Sequence, residues 1–242
     1  AQVRHRAPGV AGSGGNPRVS VLELFRLDGR VVIVTGASSG LGVSFAQGFA
    51  EAGADLVLGA RRVEKMADTA ALVAAAGRRV HTRKTDVVDP EQCQQLVDAA
   101  MAEFGRVDVL INNAGVGTAV PATRETAEEF RAVVDVNLNG AYWMAQACGR
   151  VMKPGSCIIN IASVLGLTTA GLPQAAYSAS KAGVIGMTRD LAQQWSGRKG
   201  IRVNALAPGF FVTEMTDELR PGYLDSQLPR IVLGRLGEQL GL

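Results

Sequence analysis

The residues most suited to chemistry are a tyrosine and a lysine four positions apart. Tyr177 and Lys181 belong to the segment YSASK, and on a helix this spacing puts both side chains on one face. A tyrosine hydroxyl has a pKa of about 10, so alone it is a poor acid–base catalyst at neutral pH. An ammonium group beside it favours the phenolate and lowers that pKa. The pair is therefore a candidate proton donor and acceptor, although a single tyrosine is more often a core or surface residue.

A serine completes this candidate set. Ser163 comes just after the apolar run at 157–161, where it could donate a hydrogen bond to a substrate oxygen that develops negative charge. Taken singly, a serine at such a place is more often an ordinary loop residue. It becomes a candidate catalytic group only in combination with Tyr177 and Lys181.

A glycine-rich turn near residue 36 could hold a phosphate. Residues 31–34 are apolar, which predicts a strand buried on both faces, and a helical pattern begins near Leu41. Gly36 would permit the tight turn, Gly40 the approach of backbone N–H groups to a pyrophosphate, and Gly42 close packing of the helix. The free N–H groups of the helix N-terminus favour an anion. The Gly-x-x-x-Gly-x-Gly spacing differs from the common Gly-x-Gly-x-x-Gly, so a purely structural turn stays an alternative.

The elements that must position these residues form a regular series. Short apolar runs alternate with helical stretches, which is the pattern of a doubly wound parallel sheet. After the first strand we expect strands at 55–60, 80–84, 107–111, 157–161 and 201–206. We expect the later helices at 63–76, 91–104, 127–152, 174–195 and 213–219. The sequence thus predicts one α/β domain over residues 21–242, with a Rossmann-type sheet covered by helices on both faces, after a flexible leader at 1–20.

Composition restricts the class of protein. Of 242 residues, 47% are hydrophobic, yet no run approaches the roughly 20 residues of a membrane span. Three of the 25 Lys and Arg lie in the acid-free first 20 residues, so the other 22 balance the 22 Asp and Glu and give no case for nucleic acid. The three cysteines are an odd number without ligand-like spacing, which indicates reduced thiols in a cytoplasmic protein and no metal site.

Cofactor choice depends on the end of the second predicted strand. A carboxylate there, about 20 residues past the glycines, usually accepts the ribose 2′-OH of NAD. This chain has Ala60 at that place, followed by Arg61 and Arg62, whose guanidinium groups suit the 2′-phosphate of NADP. The alternative is that both arginines are only a solvated helix start. Asp86 and the turn NNAG, which follow the next two strands, would line the adenosine crevice, although adjacent asparagines also occur for turn reasons alone.

Six motifs in order carry a family resemblance. TGASSGLG, NNAG, VNLNG, NIASV, YSASK and NALAPGFFVT resemble the short-chain dehydrogenase/reductase family, in the main subclass with TGxxxGxG and YxxxK, over about residues 27–238. The resemblance implies that Tyr177 is the general acid and base and that Ser163 orients and polarises the carbonyl. It implies that Lys181 binds the nicotinamide ribose and lowers the Tyr177 pKa, and that Asn137 holds a water in a proton relay.

The resemblance also implies a cofactor site and an activity. The expected cofactor contacts are Gly36, Ser38, Ser39, Gly40, Leu41, Gly42, Arg61, Arg62, Asp86, Val87, Asn113, Ala114, Gly115, Tyr177, Lys181, Pro208, Gly209, Phe211 and Thr213. The expected function is NADP(H)-dependent interconversion of a carbonyl and a secondary alcohol, with NAD less favoured. A non-catalytic dinucleotide-binding or regulatory homologue is the alternative, although such a protein would be expected to lose the tyrosine or the lysine.

Two further expectations concern the substrate and the assembly. The segments that the resemblance places over the nicotinamide contain no Arg or Lys, which predicts a small to medium, largely apolar substrate; their apolar residues are Leu165, Leu172, Phe210, Phe211 and Met215. Members usually continue past RLGE through another helix and a final strand, which this sequence lacks. The resemblance implies a homo-oligomer, a tetramer or a dimer, and the lack of this strand leaves open both that assembly and activity.

Overall fold

The fold is a single six-stranded parallel sheet, seen in a computed structural model that describes residues 20–217 and 221–239. The strand order is β3-β2-β1-β4-β5-β6, with the direction of winding reversed between β1 and β4. The strands are β1 Val31–Thr35, β2 Asp55–Ala60, β3 Val80–Lys84, β4 Val109–Asn112, β5 Cys157–Ile161 and β6 Arg202–Leu206. The predicted Rossmann-type sheet is confirmed, with shifts of one or two residues at the ends of β4 and β6.

Helices connect the strands. They are α1 Leu41–Glu51, α2 Val63–Ala75, α3 Pro90–Phe104, α4 Ala127–Val134, α5 Gly140–Val151, α6 Ala175–Lys199, α7 Glu214–Asp217 and α8 Tyr223–Gln227. The helix expected at 127–152 is helical up to Val151, and within it a wider π-helical turn at Asp135–Asn139 joins α4 to α5. The helix expected at 213–219 is seen as α7, and its last residues lie outside the described part, as do residues 1–19 of the expected leader.

The core lies on both faces of the sheet. Successive strand residues point to opposite faces, so Val31 and Ile33 pack with α3 and α5, whereas Val32 and Val34 pack with α1 and α2. All four are at most 2% exposed. A continuous apolar strand is therefore buried on both sides, as its sequence predicts. The three cysteines are buried and unpaired, and no helix among the described residues is long and apolar enough to span a membrane.

Candidate active site

The glycine turn after β1 lies at the point where the strand order reverses, where open parallel sheets bind ligands. Gly36 has φ +66°, and a Cβ there would be 2.8 Å from the Ala114 Cα. A Cβ on Gly42 would overlap the Gly36 carbonyl oxygen. The Thr35 hydroxyl accepts hydrogen bonds from the Asn113 and Ala114 N–H groups at 3.0 and 3.1 Å. Only glycine therefore lets the TGASSGLG and NNAG turns meet, and helix α1 begins at Leu41 within the first of them.

These two turns form one wall of a long cleft of about 730 Å³. Of the residues expected to contact the cofactor, all but Gly42 line it, and Gly42 is buried beneath the turn. Gly40 precedes α1 without a side-chain cap, so the first-turn N–H groups of α1 keep no side-chain partner. The glycines of the turn, which have no side chain, and the lack of a side-chain cap at the start of α1 suit a pyrophosphate. The residues present therefore fit a dinucleotide.

Three of the four predicted catalytic side chains, those of Ser163, Tyr177 and Lys181, line the cleft together. The Ser163 hydroxyl accepts the Leu165 N–H at 3.1 Å. The Lys181 Nζ lies 5.7 Å from the centre of the Tyr177 ring and donates to the Ile161 carbonyl at 2.7 Å. Ser163 follows β5, and the other two share one face of α6, as the spacing predicts.

Burial shifts the pKa values of Tyr177 and Lys181. Burial raises the pKa of Tyr177, and the Ser163 side chain only partly opposes this rise. Burial also lowers the pKa of Lys181 to about 8, since the low dielectric disfavours the ammonium. Desolvation of the phenol is the larger of the two influences on the pKa of Tyr177, and the expected lowering of this pKa by the Lys181 charge stays a prediction.

Asn137 lies behind the cleft rather than in its lining, in the π-helical turn. Its Oδ1 accepts the Val116 N–H at 2.8 Å, and its Nδ2 donates to the Val116 carbonyl at 2.9 Å and to the Ser180 Oγ at 3.0 Å. Ser180 in turn donates to the Tyr177 carbonyl at 2.7 Å. The side chain of Asn137 thus joins the loop after NNAG to helix α6. Its expected part in a water relay stays a prediction.

Sequence reasoning missed Ser180 and the charged contacts at the rim of the cleft. Ser180 directly precedes Lys181, but only the fold shows that Asn137 lies against it. At the rim, Arg62 Nη2 donates to the Ser39 Oγ at 2.7 Å and to the Glu214 Oε2 at 2.8 Å. Arg61 lines the same rim with an exposed side chain. No local pattern identifies Glu214 as the partner of Arg62, because 152 positions separate the two residues.

The other end of the cleft is apolar. Leu165 and Tyr223 are buried there, and Leu172 and Phe210 pack against them. The rings of Phe210 and Tyr223 are 6.0 Å apart in an edge-on arrangement, and the Tyr223 hydroxyl donates to the Ala170 carbonyl at 2.9 Å. All five apolar residues expected near the nicotinamide line the cleft, and Tyr223 is an addition that the sequence did not suggest. In the described part of the chain no three His, Cys, Asp or Glu side chains converge as a metal site.

Comparison with known proteins gives a consistent result. The profile of the short chain dehydrogenase family matches residues 30–224. The chain is 38% identical over 216 residues to the 3-oxoacyl-(acyl-carrier-protein) reductase FabG of Thermotoga maritima, covering 88% of this chain and 87% of that protein. It is 39% identical over 222 residues to the 2-dehydro-3-deoxy-D-gluconate 5-dehydrogenase of Dickeya dadantii, covering 90% and 86%.

A solved structure extends the likeness to three dimensions. The crystal structure of a short chain dehydrogenase from Burkholderia cenocepacia in complex with NADP has a TM-score of 0.84 and 32% identity, covering 89% of this chain and 87% of that one. The matched region includes the glycine turn, the cleft and helix α6. The protein therefore belongs to the short-chain dehydrogenase/reductase family, and it is an oxidoreductase.

Proposed function

We propose that the protein interconverts a carbonyl and a secondary alcohol with NADP(H), on a small to medium, largely apolar substrate. The observation that supports this proposal is that Ser163, Tyr177 and Lys181 line one cleft together, between its dinucleotide end and its apolar end. When bound, the nicotinamide supplies or accepts the hydride. The residues of the chain supply the proton, the orientation and the shielding from water.

In the proposed mechanism Ser163 donates a hydrogen bond to the substrate oxygen and polarises the carbonyl. Tyr177, which is protonated because burial raises its pKa, gives its proton to that oxygen during reduction and takes it back during oxidation. Lys181 faces the Tyr177 ring and would hold the ribose hydroxyls, with its Nζ already fixed by the Ile161 carbonyl. Asn137 and Ser180 keep the loop after NNAG and helix α6 in register.

The proposed preference for NADP(H) depends on the end of β2. Ala60 offers no carboxylate for a ribose 2′-OH, and Arg61 and Arg62 line the rim beside the hydroxyls of Ser38 and Ser39. Charge-assisted hydrogen bonds are worth about 1.5–3 kcal/mol each, which corresponds to roughly ten- to a hundredfold tighter binding of NADP than of NAD before screening. The Burkholderia cenocepacia relative was crystallised with NADP.

The cofactor proposal is tested by replacing the residues at the end of β2. The double change Ala60→Asp with Arg61→Ala restores the carboxylate and removes a phosphate partner, so it should reverse the preference. Titration of NADPH and NADH into both proteins at one ionic strength measures the effect. Equal affinity of the parent for the two cofactors would show that the arginines are only a solvated helix start.

The substrate proposal is tested by a screen of NADPH consumption. Apart from Arg61, Arg62, Asp86 and Glu214 at the dinucleotide end, the only charged residue among the described ones that lines the cleft is Lys181, whose Nζ donates to the Ile161 carbonyl. A carboxylate substrate therefore meets no other cation in the catalytic and apolar parts of the cleft. We expect apolar ketones of graded size to be reduced ahead of sugar acids. Because the Dickeya dadantii relative is named for a sugar acid, faster turnover of such acids would overturn this proposal.

The proposal also covers the extent of the domain, the assembly and the cellular compartment. We take residues 21–242 as one dinucleotide-binding domain, active as a homotetramer or dimer in the cytoplasm. The sheet, with one core on each face, supports the single domain, and three buried, unpaired cysteines suit a reducing compartment. Light scattering on the purified protein measures the assembly directly.

A further inference from the structure

One carboxylate at the rim of the cleft holds two cations. Glu214, the first residue of α7, places its Oε2 2.8 Å from the Arg62 Nη2 and its Oε1 2.5 Å from the Lys65 Nζ. The same Arg62 nitrogen donates to the Ser39 hydroxyl. Glu214 thus reaches from the segment after β6 to the first turn of α2, across the place proposed for the 2′-phosphate of NADP(H).

This contact engages the Arg62 Nη2 and the Lys65 Nζ, which are groups that a phosphate would also use. Carboxylate and phosphate oxygens accept hydrogen bonds from the same guanidinium and ammonium groups. Hydrogen bonds from Lys65 and Arg62 lower the pKa of Glu214 to about 2, so the group is ionised throughout the pH range of an active enzyme. A change of pH therefore does not free the two cations; only another anion does.

We propose that Glu214 is a specificity-determining residue, an internal anion that competes with the 2′-phosphate of NADP(H) for Arg62 and Lys65. The inference rests on the proposed preference for NADP(H). NADH has no 2′-phosphate and leaves the contact intact, whereas NADPH must displace the carboxylate. Glu214 therefore makes the preference for NADPH over NADH smaller than Arg62 and Lys65 alone would produce.

The displacement is energetically feasible. The side chains of Arg62, Lys65 and Glu214 are 43%, 45% and 47% exposed, so water and salt weaken both ion pairs. A phosphate monoester carries nearly twice the charge of a carboxylate at neutral pH. Loss of two exposed ion pairs corresponds to an affinity change of roughly three- to tenfold. We expect the removal of the Glu214 charge to strengthen binding of 2′-phosphorylated ligands by that factor.

The experiment uses Glu214→Gln and two nucleotide fragments. Adenosine 2′,5′-bisphosphate carries the 2′-phosphate and 5′-AMP lacks it, so the ratio of their dissociation constants isolates the 2′-phosphate contact without any turnover. Isothermal titration at low and at high salt is done on the parent and the variant. Glu64→Gln is the matched control, because it removes the same charge from an exposed position in the first turn of α2.

The inference predicts that Glu214→Gln binds the bisphosphate three- to tenfold more tightly, with 5′-AMP unchanged, a smaller gain at high salt and no gain in Glu64→Gln. Equal gains in both variants would reduce the effect to net charge and overturn the inference. If the parent prefers the bisphosphate but Glu214→Gln does not increase that preference, the inference fails and the cofactor proposal survives. If the parent shows no preference and the variant gains one, the cofactor proposal fails for the parent and competition by Glu214 is supported.

Discussion

The two ends of the cleft are held together by different forces. At the catalytic end Lys181 is 4% exposed and Asn137 is 1% exposed, and each makes hydrogen bonds to main-chain groups. At the rim Arg62 and Glu214 are nearly half exposed and bind each other as ions. A buried polar group costs free energy when its partner is lost, whereas an exposed ion readily exchanges one partner for another. Substitutions should therefore change both turnover and the free energy of unfolding at the first end, and only ligand affinity at the second.

The largest expected effect separates chemistry from binding at the catalytic end. Tyr177→Phe removes the proton donor but leaves the ring against Lys181, so turnover should fall by a factor on the order of 10² to 10⁴. NADPH affinity should stay within about twofold of the parent, because the hydroxyl is not among the proposed rim contacts. Single-turnover kinetics and titration on one preparation measure both quantities. Turnover close to that of the parent would remove Tyr177 from the mechanism.

The next prediction is that replacing Lys181 lowers activity but raises stability. Lys181→Met removes the ribose contact and the charge, so turnover should fall on the order of 10² together with cofactor affinity. The pKa of Lys181 is about 8 in the folded protein against about 10.5 for an ordinary lysine, so between these values the unfolded chain binds the proton that the folded protein has lost. The parent should therefore gain stability as pH rises through this window.

The same substitution should make the protein more stable at pH 7. The cost of burying the charged lysine corresponds to at most roughly 3 kcal/mol, and the hydrogen bond to Ile161 offsets part of it. We expect the free energy of unfolding of Lys181→Met to exceed that of the parent by about 1–2 kcal/mol at pH 7. The difference should shrink by pH 10. Urea unfolding at both values measures it, and a less stable variant at pH 7 would contradict the argument.

The last prediction compares the stability of variants at the two ends of the cleft. Asn137→Ala leaves the Val116 main-chain groups and the Ser180 hydroxyl without their partner, so the free energy of unfolding should fall by about 1–3 kcal/mol. Arg62→Ala breaks exposed contacts only, and its Tm should match that of the parent within error. Thermal unfolding of both variants tests the comparison. A destabilised Arg62→Ala protein would mean that the rim is part of the folding core.

Much of this protein is readable from short-range patterns. The apolar run of β1, the glycine turn and the helical spacing of Tyr177 and Lys181 each lie within about a dozen residues, so periodicity and backbone sterics suffice to predict them. The polar residues at the strand ends indicated the same edge of the sheet, because parallel strands bring their carboxyl ends together. These features were enough to predict the sheet and the edge at which the cleft lies, whereas most of the expected lining was implied by the family resemblance.

The remaining features depend on contacts that are distant in the chain. The apolar pattern of 127–152 continues through Asp135–Asn139, so nothing local shows that a π-helical turn places Asn137 against Val116 and Ser180. The shift in the pKa of Lys181 arises from burial, which only packing produces. Glu214 meets Arg62 across 152 positions because β6 lies at one edge of the sheet and the segment after it returns over the cleft. Local sequence placed each reactive group on its element, and tertiary packing decided its partners, its charge and its freedom to exchange them.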